Sequence, residues 1–299
     1  MATTHRPSPL KLSGGRQRMV TTQRTKVPAW ITDHFEEYLE SIKNLSRIIS
    51  ISERGISVFR GMPKVLKALA NAKAVESAIS RGSQFDPSEV SASLKEDEME
   101  RAEAEAALAQ REVETGFPVL RGLAVVALWS WVENFVREFA VLWLVNRKDS
   151  YSSPSLRNVK VRLGEYLQLS PSDRAHYIVA ALEQNTALPL KRGVTRLDCL
   201  FNAFDLAATP LPDDSAKAIF ELQQVRHAVA HRNGRANRQL RLTCPWLKVK
   251  LGKPIPISHK MLGRYMDACM HYWLVRFYDV GDRYAVDLRP QNAKTPDMH

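Results

Sequence analysis

The sequence predicts an all-α protein: an up-and-down helical bundle with an N-terminal helical extension and one small β-ribbon insert. Three observations carry this prediction. Apolar residues return at three- and four-residue steps through four long stretches, 30–49, 119–145, 214–232 and 259–278, the spacing that lines one face of a helix. Proline- or glycine-bearing breaks such as 85–88, 116–118 and 210–212 separate helical stretches. Two-residue alternation stands out in a single place, 240–251.

Composition bounds what such a bundle does. At 299 residues with 44% hydrophobic side chains, the chain has material for one large domain or two small ones. A net charge of +11 favours a polyanionic partner such as nucleic acid, without separating RNA from DNA or an anionic membrane surface. Cys199, Cys244 and Cys269 are odd in number and widely spaced, and no secretory signal segment is recognisable. A disulfide framework is therefore not expected, and a reducing cytoplasm is. Arg121, Glu133, Asn134, Arg137 and Glu138 interrupt the apolar run at 119–145 and would be costly in a bilayer, so this is expected to be a buried helix and not a membrane span.

In chain order, residues 1–27 carry six basic side chains from Arg6 to Lys26 and no acid, among Ser, Thr, Pro and Gly. A disordered basic tail is expected there. Residues 28–115 form the N-terminal helical extension. It begins with a packed helix whose Trp30, Phe35, Tyr38, Ile42 and Leu45 repeat at helical spacing, with Thr32 or Asp33 as its N-cap. A second helix at 58–80 presents Val65, Leu66 and Leu69 on one side. After the break at Phe85-Asp86-Pro87-Ser88, the Glu- and Ala-rich run 89–114 has high helix propensity but few large apolar groups, which predicts a solvated, charge-laced helix.

Gly116-Phe117-Pro118 opens the main domain, expected over 116–285, with a long helix at 119–147. Within it, Glu133 and Arg137 are spaced for an intrahelical ion pair. Shorter helices are predicted at 160–167, 172–184 and 194–206, the last carrying Leu197, Leu200, Phe201 and Phe204 into the core. Pro210-Leu211-Pro212 then precedes Asp213-Asp214-Ser215, expected as the caps, mostly acidic, of the next helix. After that helix, Leu240, Leu242, Leu247, Val249 and Leu251 alternate around Cys244-Pro245-Trp246, predicting the two-stranded ribbon. Ser258 caps a final helix at 259–278, and 286–299 read as a tail.

The helix at 214–232 carries the chemistry. Ala218, Ile219, Leu222, Val225 and Val229 give it a core stripe. At 100° per residue, Arg226, Gln223, His227 and His231 sweep an arc of about 140° beside that stripe. Asn233-Gly234 ends the helix with residues that tolerate the left-handed conformation. His231 falls in the last turn, where the carbonyl end of the helix favours a cation. Histidine exchanges protons near neutrality, and arginine presents a planar, permanently charged fork matched to phosphate oxygens. Zinc is a poor reading of the two histidines: Ala228 stands where a metalloprotease helix needs glutamate, and no Cys or acidic cluster completes a ligand set. Arg and His near a helix end also serve as ordinary complements to the helix dipole.

The string Arg226-His227-x-x-x-His231 resembles the R-x4-6-H signature of HEPN domains, including the polar residue that commonly follows the arginine. The Asn233-Gly234 ending resembles the RiboL-PSP branch of that family, and Ala127-Leu128-Trp129-Ser130-Trp131-Val132-Glu133-Asn134-Phe135 resembles its opening core helix. The resemblance covers about 118–280 and leaves the first quarter of the chain unexplained. It implies a helical bundle of HEPN type that forms a homodimer, and a cofactor-free, metal-independent endoribonuclease. In that chemistry a ribose 2′-hydroxyl attacks phosphorus, leaving a 2′,3′-cyclic phosphate and a 5′-hydroxyl. Carried over, His231 is the general acid or base, Arg226 stabilises phosphoryl charge, and His227 orients the phosphate or the other imidazole. Glu133 is implied as a partner standing behind Arg226. A toxin or antiviral defence role, restrained by a cognate antitoxin or defence partner, follows from the same resemblance. Arg232, Asn233, Arg235, Arg238 and Trp246 are the expected RNA-contacting flank, with the indole stacking on a base. The competing expectation is a noncatalytic helical module that binds RNA or protein.

Overall fold

A computed structural model describes residues 26–84, 96–185 and 192–289. It is helical, and among the described residues no strand occurs. In chain order the helices are α1 (Ala29–Phe59), α2 (Met62–Arg81), α3 (Glu96–Glu114), α4 (Pro118–Asn146), α5 (Pro154–Arg157), α6 (Leu163–Gln168), α7 (Pro171–Asn185), α8 (Val194–Asn202), α9 (Asp213–Arg232), α10 (Arg238–Thr243) and α11 (His259–Arg283). The basic segment 1–25, the break at 85–88 and the end of the tail at 290–299 lie outside the described residues.

The long helix α4 is the axis of the fold. Phe117 enters it in the left-handed conformation (φ 56°) and Pro118 occupies its first turn, where a missing N–H costs nothing. By length and composition α4 would cross a membrane, yet Val125, Leu128, Val132 and Phe135 are fully buried, with α1, α7, α8, α9 and α11 packed around the helix. The first half of α1 delivers Ile31, Phe35, Tyr38 and Ile42 to that same core. There the His34 ring stacks on Phe135 at 4.9 Å, its Nε2–H donating to the Phe135 carbonyl at 3.0 Å. Burial pushes the His34 imidazole down to about 4. Phe139 stacks on Phe201 at 5.0 Å, and Trp273 of α11 tilts against Phe135. One apolar cluster thus runs from Ile31 to Val280, across the boundary expected at residue 116.

Several local expectations are corrected. α1 does not end near residue 49: nothing up to Phe59 breaks a helix except an isolated Gly55, and the turn falls at Arg60-Gly61. Thr32 is not a cap, because Pro28 precedes the helix and the Thr32 hydroxyl donates to the Ala29 carbonyl at 2.9 Å inside the first turn. The exposed second half of α1 and α2 are backed by α3. α2 meets it through Ala70, Ala74 and Ala78, leaving Val65 and Leu69 about half exposed. The ribbon expected at 240–251 is absent. Asn237 caps α10 by accepting from the Leu240 amide, Leu240 and Cys244 are buried one turn apart, and Leu242 is 65% exposed. Four-residue spacing and a side-chain cap outweighed the alternation. A single antiparallel bridge, Arg235 to Pro254, is what remains of the pairing. Ser258 does cap α11, accepting from the Met261 amide at 3.1 Å. The first residues of the expected tail fold back: Leu288 packs so closely on Gly281 that a Cβ there would sit 2.6 Å from it, and Arg289 pairs with Asp282.

α9 starts at Asp213 with Pro212 in the cap position and no side-chain cap, so the caps expected at 213–215 lie inside its first turn; the helix is held from two sides. Arg276, 1% exposed, is neutralised by Asp198 and Asp279 and donates to the Thr209 carbonyl at 2.9 Å. Asp279 accepts from the Thr209 amide, so the connection into α9 is stapled to α11. Glu221 on α9, with 0% exposure, accepts from Tyr265, Arg264 and the Trp246 indole. A buried carboxylate is tolerable only with such a full set of donors.

Candidate functional site

α9 ends as its residues require: Asn233 takes the left-handed conformation (φ 51°, ψ 43°) as C-cap, and Gly234 follows at φ 68°. The last two turns present Arg226, His227 and His231. Arg226 and His227 line a cavity of about 320 Å³, shared with Arg192, Arg196, Gln223 and Gln239. The buried Trp129 and the side chain of Glu133 complete its α4 wall.

The Arg226 guanidinium is the unusual group. Its Nε is buried and has no hydrogen-bond partner. Such a donor costs roughly 1–3 kcal/mol in an apolar setting unless something accepts from it, and a native structure that keeps one calls for a reason, such as a ligand site. The acceptor expected to serve it is engaged elsewhere: Glu133 receives the Arg196 guanidinium at 2.8 Å. Nor does Glu133 pair with Arg137 on its own helix, since Arg137 reaches Glu183 on α7 at 3.2 Å. A turn of helix brings 133 and 137 together, but the buried faces of α7 and α8 supplied better-placed partners.

His227 and His231 are exposed, with ring centroids 4.7 Å apart. Burial is the first cause holding the His227 imidazole below its ordinary value, with the charges of His231, Arg226 and Arg232 acting the same way. His227 is therefore neutral near pH 7 and able to accept a proton. His231 does not line the cavity. Five residues of α-helix rotate it about 140° from Arg226. Within one chain the arginine shares its cavity with His227, and His231 stands outside.

Of the expected RNA-contacting flank, Arg232 and Arg238 are exposed at the end of α9 and the start of α10, and Asn233 serves as the cap. Arg235 is engaged, donating to the Gly252 carbonyl at 3.0 Å. Trp246 is 39% exposed, but its N–H is committed to Glu221 and the Lys217 ammonium lies 4.5 Å from its ring centroid. Glu221 sits about 140° around α9 from Arg226, so the indole belongs to the opposite flank of the helix and is no stacking platform for this cavity.

Sequence reasoning missed Arg196 and Gln239 and gave Arg192 no role. The signal for Arg192 was Gly193. Its N–H donates to the Gln223 amide oxygen at 2.7 Å, its φ is +56°, and a Cβ there would lie 3.1 Å from Phe220. Only glycine lets the chain approach α9 so closely in that conformation, and the approach sets Arg192 at the cavity mouth. No family model matches the chain, and neither a curated protein nor a solved structure does.

Proposed function

We propose that the chain is a metal-independent endoribonuclease of HEPN type, cleaving RNA by 2′-hydroxyl attack to a 2′,3′-cyclic phosphate. The observation that carries this reading is the buried, unpartnered Arg226 donor, placed in a cavity beside two further guanidinium groups and an imidazole that is neutral near pH 7. A phosphoryl oxygen satisfies that donor, and fixed positive charge around it stabilises the charge that develops in the transition state. His227, at the cavity wall, takes the proton of the attacking hydroxyl. His231, outside the cavity of its own chain, serves as the second proton carrier across the two-fold of a homodimer. The defence or toxin role, with a partner that restrains it, is part of the same proposal.

The test is incubation of the purified chain with end-labelled single-stranded RNA in EDTA, beside Arg226→Ala, His227→Ala and His231→Ala. Loss of cleavage in the variants, with cyclic-phosphate ends in the wild-type products, supports the reading. Equal cleavage by wild type and variants refutes it. One observation favours a second reading, a noncatalytic RNA-binding cleft: His231 lies away from the arginine. That reading gains if all four proteins bind RNA with similar affinity and none cleaves it.

A further inference from the structure

The other flank of α9 carries a separate constellation. Ser215, in the first turn, has its Oγ 3.0 Å from His271 Nδ1 on α11. Both side chains are half-buried and line a cavity of about 490 Å³, bordered also by Lys217, Arg264 and Asp267. We propose that Ser215 is a nucleophile for acyl transfer from a small carboxylic ester, with His271 as its base.

Two features support the assignment. A serine hydroxyl becomes nucleophilic when an imidazole within hydrogen-bond reach accepts its proton, and the 3.0 Å contact supplies that reach. The helix preceding residue is Pro212, which caps none of the first backbone N–H groups, and the first N–H paired within the chain is that of Ala216, to the Pro212 carbonyl at 2.9 Å. The amides of the first turn, that of Ser215 among them, lack helical acceptors, which leaves the Ser215 N–H free to donate to an oxyanion formed on its own side chain. None of these residues contributes to the Arg226 cavity.

The steps balance. Oγ bonds to the ester carbonyl carbon as its proton passes to His271 Nδ1. The tetrahedral oxyanion then collapses, the C–O bond to the alcohol breaks, and His271 returns the proton to the departing oxygen. Water attacks the acyl-Ser215 ester with His271 again taking a proton, which goes back to Oγ as the acid leaves. The net change is ester plus water to acid plus alcohol.

The test uses p-nitrophenyl acetate with the full chain. A burst of p-nitrophenol equivalent to the protein is expected, with the acetyl group mapped to Ser215 by peptide mass spectrometry. Ser215→Ala should lose the burst, and His271→Gln should slow it by about 10²-fold or more, both while melting at the wild-type temperature. Should either variant fail to fold, a fluorophosphonate probe on the wild type decides the matter by the residue it labels. Acetyl or phosphonyl found only on lysines, or a rate no higher than that of the urea-unfolded chain, overturns the proposal.

Discussion

Replacing Arg226 with methionine separates its structural from its functional worth. The side chains are both long and unbranched, so packing along the stem is kept while the guanidinium is removed. In the present structure the Arg226 Nε is buried without an acceptor, and deleting such a donor returns its desolvation penalty, roughly 1–3 kcal/mol. For a protein of this size each kcal/mol raises the midpoint of unfolding by about 2–4 °C. Arg226→Met is therefore expected to melt a few degrees higher than wild type. The same change removes the charge at the proposed phosphate position, and loss of one preorganised group that stabilises transition-state charge costs on the order of 10²–10³ in rate. Arg226→Lys should fall between, because an ammonium restores charge but not the fork. The assay pairs calorimetry with cleavage of end-labelled RNA in EDTA. A melting temperature lowered by more than a few degrees would make Arg226 a structural residue and refute the reasoning, and cleavage at the wild-type rate would refute its role in catalysis.

Four further expectations follow from the same geometry. The depressed His34 value, about 4 in the folded chain against about 6.5 unfolded, means that the unfolded chain takes up a proton the folded one refuses between those two pH values. Stability should be untouched by this group above pH 6.5 and fall by about 3 kcal/mol on going down to pH 4; urea titrations of wild type and His34→Phe should diverge over that window and run parallel above it. Glu221→Leu strands the buried Tyr265 hydroxyl and the Trp246 N–H, with an expected cost of about 3 kcal/mol, read as a lower urea midpoint; an unchanged midpoint would show that the cluster does not hold α9. Gly193→Ala places a Cβ 3.1 Å from Phe220 at φ +56° and should weaken RNA binding by displacing Arg192, measured by fluorescence anisotropy; affinity equal to wild type counts against the loop's part in the cavity. If His227 is the base, the acid limb of the cleavage profile should lie below the ordinary imidazole value of about 6.5, in the direction that burial and neighbouring charge shift it; a limb above that value assigns the proton transfer to another group.

Local physics was legible in the chain. Apolar spacing gave three of the four long helices to within about five residues and missed the last ten of α1, Asn233-Gly234 gave the end of α9, and Ser258 gave the start of α11. These depend on contacts within about one turn, which is what a linear reading samples. The ribbon at 240–251 failed for the same reason inverted: alternation over so short a run is outbid by a cap and a buried i, i+4 pair, Leu240 and Cys244.

The Arg226-His227 pair and its place at the end of a helix were determined by the sequence alone, because helix phase follows from residue count. Which groups meet that pair was decided by the fold. Glu133, Arg196 and Gln239 come from three separate helices, and Glu133 found Arg196 rather than Arg137 or Arg226. Trp246 turned to Glu221 on the far flank of α9. A side chain's partner is set by which buried charges and donors lie within hydrogen-bond reach once helices pack, and that competition between distant residues leaves no periodicity to read.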